Sequence, residues 1–401
     1  MADFTVVGGG IAGLVVARRL AASGAGVVLV EASDRLGGTV ARHEVAGIAL
    51  DAGAESFAVR GGIVAALLAE LGLDGDIVEP RPGPAWLQPA AGPAVPLPAT
   101  ALLGIPADPL AADVVRVVGA EAAQRAIALD ALPVSPLPDD ARLGALVRER
   151  FGAEVLDRLV APVVHGVHSQ HPDDVPVARA HPGLAAAYVD GGSLAGAVSR
   201  LRAAAPPGSA VAGLRGGVHR LVPALADDLA RRGVDVRLGA RVDDVSTLPG
   251  AVVIAAPGLA SPSQPGRRID LITLVVEQDE LDAAPRGSGL LVAQGAPVAA
   301  RALTHATAKW EWLREVAGGR HVLRLSYDDV PADPVETARR DAEVLLGVAL
   351  PVVVDAAQVT WNRPAAASVT DRSVVGETVA GSGLAGIIAQ AERAADALLG
   401  R

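Results

Sequence analysis

Thr5-Val6-Val7 is a β-branched apolar run that stops at Gly8-Gly9-Gly10-Ile11-Ala12-Gly13, and this G-x-G-x-x-G with its flanking segments constrains the chain more than any other feature. Leu14, Val15 and Leu20 continue at helical spacing, and Val27-Val28-Leu29-Val30 is a second apolar run ending in Glu31. Strand, glycine turn, helix, strand and acid in that order make a βαβ dinucleotide-binding unit. Gly8 permits the tight turn, Gly10 lets backbone approach a pyrophosphate, and Gly13 lets the helix pack on its strands. The pyrophosphate is expected at the helix N-terminus, where free N–H groups and the dipole favour an anion. Glu31 stands where an acid bonds ribose hydroxyls.

Composition narrows the class. A chain of 401 residues has room for two or three domains and a large core. A formal charge of -10 argues against a nucleic-acid partner. No apolar run is long enough for a transmembrane helix, and the chain enters a strand at once without a signal-peptide pattern, so a cytoplasmic protein is expected. The absence of cysteine excludes disulfides, thiolate metal sites and a flavin tethered through sulfur. Lys309 is the sole lysine among 35 basic residues.

Arg35-Leu36-Gly37-Gly38-Thr39 comes soon after Glu31 and resembles the R-x-G-G extension of FAD-dependent amine oxidases and their relatives, which favours FAD over NAD. Further on, residues 43–51 alternate like a strand pair, and Ala52-Gly53-Ala54-Glu55-Ser56-Phe57 is a small-residue turn that can bring backbone close to an isoalloxazine. Residues 63–71 read as a helix closed by Gly72, and 79–110 as a proline-rich crossover. Helices are expected over 113–129 and 143–159, forming an insert that at most touches a membrane surface. His165, His168 and His171 read as a loop near the active site, because Gly166 and the flanking prolines spoil any shared helix face for a metal. The run from Gly213 to Leu221 opens a helix but is not a second G-x-G-x-x-G. Strands are expected at 234–238, from Arg241-Val242-Asp243, and at 251–257, where the chain returns to the cofactor sheet. More strands are expected at 271–276, 289–292, 301–303 and 322–325, with a helix over 335–346. A final strand, glycine turn and helix begin near Val374.

These segments resemble the FAD-dependent protoporphyrinogen and coproporphyrinogen III oxidases, within the flavin-containing amine oxidase superfamily. Asp51–Phe57, the P-x-x-x-G-V run from Pro162, Leu214-Arg215-Gly216-Gly217, Gly287-Ser288-Gly289-Leu290-Leu291-Val292 and above all Lys309-Trp310 carry the resemblance. The chain departs from the family in three places. The stretch between Trp361 and Val374 is short, Glu377 replaces the usual aspartate, and Trp86 lies near a position where some relatives carry a base thought to meet a propionate.

The resemblance implies an α/β fold: a Rossmann-like, glutathione-reductase-like FAD-binding domain (1–78, 191–262 and 366–401), a helical insert (79–190) and an α+β substrate domain (263–365). It implies cofactor contacts at Gly8, Gly10, Ile11, Ala12, Gly13, Glu31, Ala32, Arg35, Gly37, Gly38, Thr39, Gly53, Ala54, Glu55, Ser56, Val242, Ala256, Trp361, Gly376, Glu377, Gly383, Leu384 and Ala385. An apolar slot with cations at its rim is expected for the acidic substrate, with Arg60, Arg179, Arg301 and Lys309 as candidates. The implied reaction is oxidation of coproporphyrinogen III in haem biosynthesis, with hydride passing to flavin N5 in three rounds and molecular oxygen leaving as hydrogen peroxide. No acid–base dyad is needed. Contact with a downstream haem-synthesis enzyme is compatible with this reading. Alternatives are protoporphyrinogen IX as substrate, an amine oxidase or desaturase of the same fold, and a flavin-binding relative without turnover.

Overall fold

Val6, Val7 and the run Val27–Val30 are all buried, and a short segment apolar on both sides is a strand covered on both faces. The computed structural model describes residues 2–168, 170–204, 210–260, 266–329, 332–363, 373–381 and 383–400. Ser169 and the shortened stretch 364–372 lie outside them. Phe4–Val7 and Val27–Val30 are central in a four-stranded parallel sheet, flanked by Asp235–Arg237 and Ala251–Ile254. Val374 extends this sheet through a parallel bridge to Ile254. Helix Ile11–Ala21 joins the two central strands and packs against helices Leu221–Arg231 and Leu384–Leu398. Arg18 pins this layer through Asp228 at 2.8 Å.

The expected strand at Arg241-Val242-Asp243 is absent. Arg241 and Asp243 pair with each other at 3.0 Å in solvent, while Val242 turns inward to the patch around Val28 and Val30. The stretch has one apolar anchor and no ladder partner. The hairpin Arg42–Val45 and Ile48–Asp51 does form, turning at Ala46 and Gly47 with positive φ at both.

A seven-stranded mixed sheet makes the second layer, in the order Val353–Arg363, Arg267–Val276, His321–Tyr327, Ala302–His305, Gly289–Val292, Trp86–Gln88, Val95–Pro96. Two findings differ from the sequence reading. Val353–Arg363 is a strand whose apolar alternation is confined to its second half, where Ala357, Val359 and Trp361 alternate with Gln358, Thr360 and Asn362, and it is held by pairing along Arg267–Val276. The proline-rich crossover also supplies two strands to this sheet and a separate short hairpin, Ala101–Leu102 with Ile105–Pro106, and its prolines are tolerated at a sheet edge. Helix Pro334–Leu346 covers one face, started by Asp333 and Pro334 and stopped at Gly347 with φ 69°.

The insert is a helical cluster in which both expected long helices are broken at glycine. Gly119 (φ 90°) separates Ala112–Val118 from Ala120–Asp130, and Gly152 (φ 85°) ends Leu143–Phe151. Arg150 is buried and donates to the carbonyls of Asp130 (2.8 Å) and Leu132 (2.6 Å). The Asp130 carboxylate takes the N–H groups of Leu194 and Ala195, capping helix Leu194–Ala203. The histidine run is a loop only at its end: His165 and His168 lie on helix Ala161–His168, preceded by the wider turn Leu156–Val160 that accommodates Pro162, while His171 lies beyond the helix and caps the short turn Pro172–Asp174. Among the described residues no three His, Asp or Glu side chains gather as metal ligands, and no helix is long and apolar enough to cross a membrane.

Candidate cofactor and substrate site

The glycine turn is built by close approach. A Cβ on Gly13 would sit 1.9 Å from the Gly8 carbonyl oxygen, and one on Gly8 would meet Ala255 backbone at 2.9 Å. Gly10 is different, since no protein atom lies within 4 Å of the position a Cβ would take. Helix Ile11–Ala21 has neither a side-chain cap nor an acid in its first turn, so its leading N–H groups face that open space. A cradle of this kind fits a pyrophosphate.

Glu31 closes the cradle. One carboxylate oxygen accepts the Gly9 N–H at 2.6 Å, and the other accepts the Ser33 N–H and hydroxyl at 2.8 Å. Burial raises its pKa, but these hydrogen bonds and the nearby Arg35 outweigh burial and hold it below the ordinary carboxylate value. The R-x-G-G turn docks on the same place: Gly37 donates to the Gly9 carbonyl at 2.8 Å, and Gly38 lies against Gly10. Arg35 donates to the Gly38 carbonyl at 3.1 Å and lies 6.0 Å over the Trp361 ring. Ala32 and Thr39 are exposed beside it, and Ala256 and Val242 pack at the adjoining end of the sheet.

Residues 52–56 form a second wall, locked from behind. A Cβ on Gly53 would fall 1.8 Å from the Thr39 carbonyl oxygen. The Trp361 indole donates to the Ala52 carbonyl at 2.9 Å, and Arg324 donates to the Gly53 carbonyl. Glu55 meets Lys309 at 2.6 Å and Arg324 at 3.6 Å. Burial works against the Glu55 charge, yet the two cations hold its pKa below the usual range. Ala54 and Ser56 are half-buried in the same loop. Asp51 accepts the N–H groups of Val218 and His219 and so fastens the Gly216–Gly217 turn. A pocket of about 30 Å³ lies behind this wall, lined by Asp51, Glu55, Trp310 and Arg324.

The C-terminal segment supplies the third wall. Val375 donates to the Ile254 carbonyl at 2.9 Å, which carries Gly376 to 3.4 Å from Ala12 as measured from an added Cβ. Gly383 (φ 111°) opens helix Leu384–Leu398, again without a side-chain cap or an acid in the first turn. Leu384 is buried in the core, and Ala385 lines an open groove of about 490 Å³ together with Arg60, Gln390 and Arg393. Glu377 pairs with Arg363 at 3.0 Å. Burial raises the Glu377 pKa more than Arg363 and Arg179 lower it.

The four rim candidates separate in space. Arg60 borders the groove beside the last helix, and Arg179 reaches from the insert to Gly381. Arg301 lies at an end of the large sheet, where Asp328 takes its Nε at 2.7 Å. Lys309 is not at a rim: it is mostly buried in the lock with Glu55, its ammonium 4.9 Å from the Trp310 ring. Sequence reasoning did not single out Arg267, His165 as its partner, Arg324 or Arg363. Only their place in the fold distinguishes these arginines from the other surface arginines. Trp86 does carry a base against it, since Arg286 stacks over its ring at 4.8 Å.

Comparison with known proteins gives the family and the fold. The model of the flavin-containing amine oxidoreductases matches residues 11–258. The coproporphyrinogen III oxidase of Mycobacterium tuberculosis is 31% identical over 372 residues, covering 84% of this chain and 79% of that protein. A solved structure named "Putative protoporphyrinogen oxidase", from an Exiguobacterium species, superposes with a TM-score of 0.83 at 22% identity, covering 100% of this chain and 99% of that one. Putrescine oxidase bound to putrescine superposes with a TM-score of 0.67 at 18% identity, covering 100% of this chain and 99% of the other. At these identities the two superpositions speak for the fold alone.

Proposed function

The chain belongs to the flavin-containing amine oxidoreductases and is an FAD-dependent oxidoreductase, and from that premise we propose that it oxidises coproporphyrinogen III to coproporphyrin III in haem biosynthesis. Oxygen is the electron acceptor, hydrogen peroxide the by-product and the cytoplasm the compartment. The parallel sheet with its glycine turn is then a Rossmann-like, glutathione-reductase-like FAD domain.

The observation that carries this reading against amine oxidation is the state of the aromatic side chains. An amine cation is held best between aromatic faces. Tyr188 is buried under Arg150, and Tyr327 is buried with its hydroxyl donating to Asp341 at 3.1 Å. Trp361, Trp86 and Trp310 each already carry a cation of the chain, Arg35, Arg286 and Lys309. Trp312, Phe57 and Phe151 are buried. No pair of free faces remains for an amine among the described residues, whereas the arginines at the sheet end suit an acid-bearing substrate.

FAD, when bound, would supply the two-electron acceptor for this chemistry and the route for those electrons to oxygen. The residues of the chain bind and orient. The N–H groups around Gly10 and Ile11 take the pyrophosphate, Glu31 the ribose, and the loop 52–56, held by Lys309, Arg324 and Trp361, supports the ring. Each hydride is matched by one proton released to water, two from pyrrole nitrogens and the third from the last methylene bridge after tautomerisation, and we assign no base of the chain to this step.

The purified FAD-loaded protein, given coproporphyrinogen III in air, is expected to form fluorescent coproporphyrin and peroxide, with kcat/KM above that for protoporphyrinogen IX. A preference for protoporphyrinogen IX would reassign the substrate. Turnover of putrescine but no porphyrinogen would favour an amine oxidase, and a yellow protein with no product would mark a relative without turnover.

A further inference from the structure

At one end of the large sheet, four side chains meet that the cofactor walls do not use. The antiparallel register sets Asp270 opposite Tyr327 and Ala302 opposite Ser326, so residues 267, 328 and 301 emerge together. Asp328 lies between two guanidinium groups: one oxygen takes Arg301 Nε at 2.7 Å, and the other takes Arg267. The insert contributes His165, whose Nε2 lies 2.7 Å from Arg267. Arg267 is the donor there and Nε2 accepts. The same Nε2 lies 3.5 Å from Asp328. Two cations face one carboxylate, which leaves an excess positive charge.

We infer that Arg267 and Arg301, with His165 as the positioning residue for Arg267, form a subsite for a carboxylate of the substrate, and that Asp328 occupies the same guanidinium forks in competition with it. Asp328 itself shows that a carboxylate fits, and planar guanidinium forks match that group. The four side chains are 28% to 40% exposed, enough for an incoming acid to reach them. The subsite also lies beside the cofactor walls. Arg267 pairs in register with Arg363, one strand spacing of about 4.8 Å away, and Arg363 holds Glu377 in the segment that docks on the glycine turn. A substrate seated between insert and sheet would place an acidic arm here with its ring toward that segment. This assignment rests on the porphyrinogen reading, because coproporphyrinogen carries more propionates than protoporphyrinogen.

The test uses the FAD-loaded full chain with Arg267→Gln, Arg301→Gln and Asp328→Asn. KM for coproporphyrinogen III is expected to rise about tenfold in each arginine variant, with a smaller change in kcat, and to move less for protoporphyrinogen IX. Asp328→Asn is expected to act in the opposite direction and lower KM severalfold. A plain structural ion pair predicts damage from all three, so a raised KM in Asp328→Asn, or an unchanged KM in the arginine variants, overturns the subsite. If the wild type turns over no porphyrinogen, the functional reading fails and binding decides the subsite separately. Coproporphyrin III should then bind more tightly than its tetramethyl ester, and the arginine variants should lose that preference; equal binding of acid and ester by the wild type overturns it.

Discussion

Glu55 is the residue where packing and charge meet most sharply. It is 18% exposed and has Lys309 and Arg324 as its partners, so its ionised form depends on them. Lys309→Met leaves a nearly buried carboxylate with one distant partner and is expected to cost about 3 kcal/mol, with Lys309→Met/Glu55→Leu recovering most of it. Urea unfolding at pH 7 measures both, and a double variant no more stable than the single would contradict this account. His305 makes a pH-dependent case. Burial, then the neighbouring His321 and Arg314, lower its pKa to about 3. Below an unfolded value of about 6.5 the unfolded chain binds a proton that the folded chain refuses, so stability falls as pH drops from there toward 3. The expected slope from this group is on the order of 1 kcal/mol per pH unit, and His305→Leu should flatten it in urea unfolding at pH 7 and pH 5. An unchanged slope would mean that His305 is not the group responsible.

At the scale of elements, the glycine turn separates two jobs that the motif runs together. Gly13 serves packing, because a methyl group there would drive the helix off its strand. Gly10 has no such packing job, because a methyl group there meets no protein atom, and its open side is where we propose that the pyrophosphate binds. Gly13→Ala is therefore expected to lower thermal stability even without FAD. Gly10→Ala should keep the unfolding midpoint of the FAD-free chain and weaken FAD binding at least about tenfold. Flavin fluorescence titration and thermal unfolding distinguish the two, and a Gly10→Ala protein with wild-type FAD affinity would move the pyrophosphate elsewhere.

At the scale of the whole molecule, the proposed cofactor walls come from residues 8–13, 31–39, 52–56, 373–381 and 383–385, joined by bonds such as Ile254 to Ser373 and Trp361 to Ala52. A ligand gripping all of them stabilises the assembled state and not the unfolded chain. FAD at a hundredfold excess over its Kd is expected to add about 2.7 kcal/mol. Thermal unfolding with and without FAD measures this, and a midpoint unmoved by saturating FAD would show that the walls do not act together.

The first βαβ unit was legible because its determinants are local. Strand, turn, helix and acid fall within residues 4–31, and each is dictated by side-chain periodicity or by backbone freedom at glycine. Helix Pro334–Leu346 was legible for the same reason, with its cap, proline and terminal glycine in one short span. The strand Val353–Arg363 was not, because its conformation depends on the neighbour it pairs with. The helix breaks at Gly119 and Gly152 were missed because apolar periodicity runs across them. Lys309 stood out by composition and family likeness, but its partner lies 254 residues away, and only folding shows that the lysine supports a loop instead of facing a substrate. The cluster of Arg267, Arg301, Asp328 and His165 exists solely through sheet register and the docking of the insert. Sequence alone determined the nucleotide turn and the flavin, which depend on neighbours along the chain; tertiary structure decided which charges are tied up and which face outward, since burial and pairing are set by residues remote in sequence.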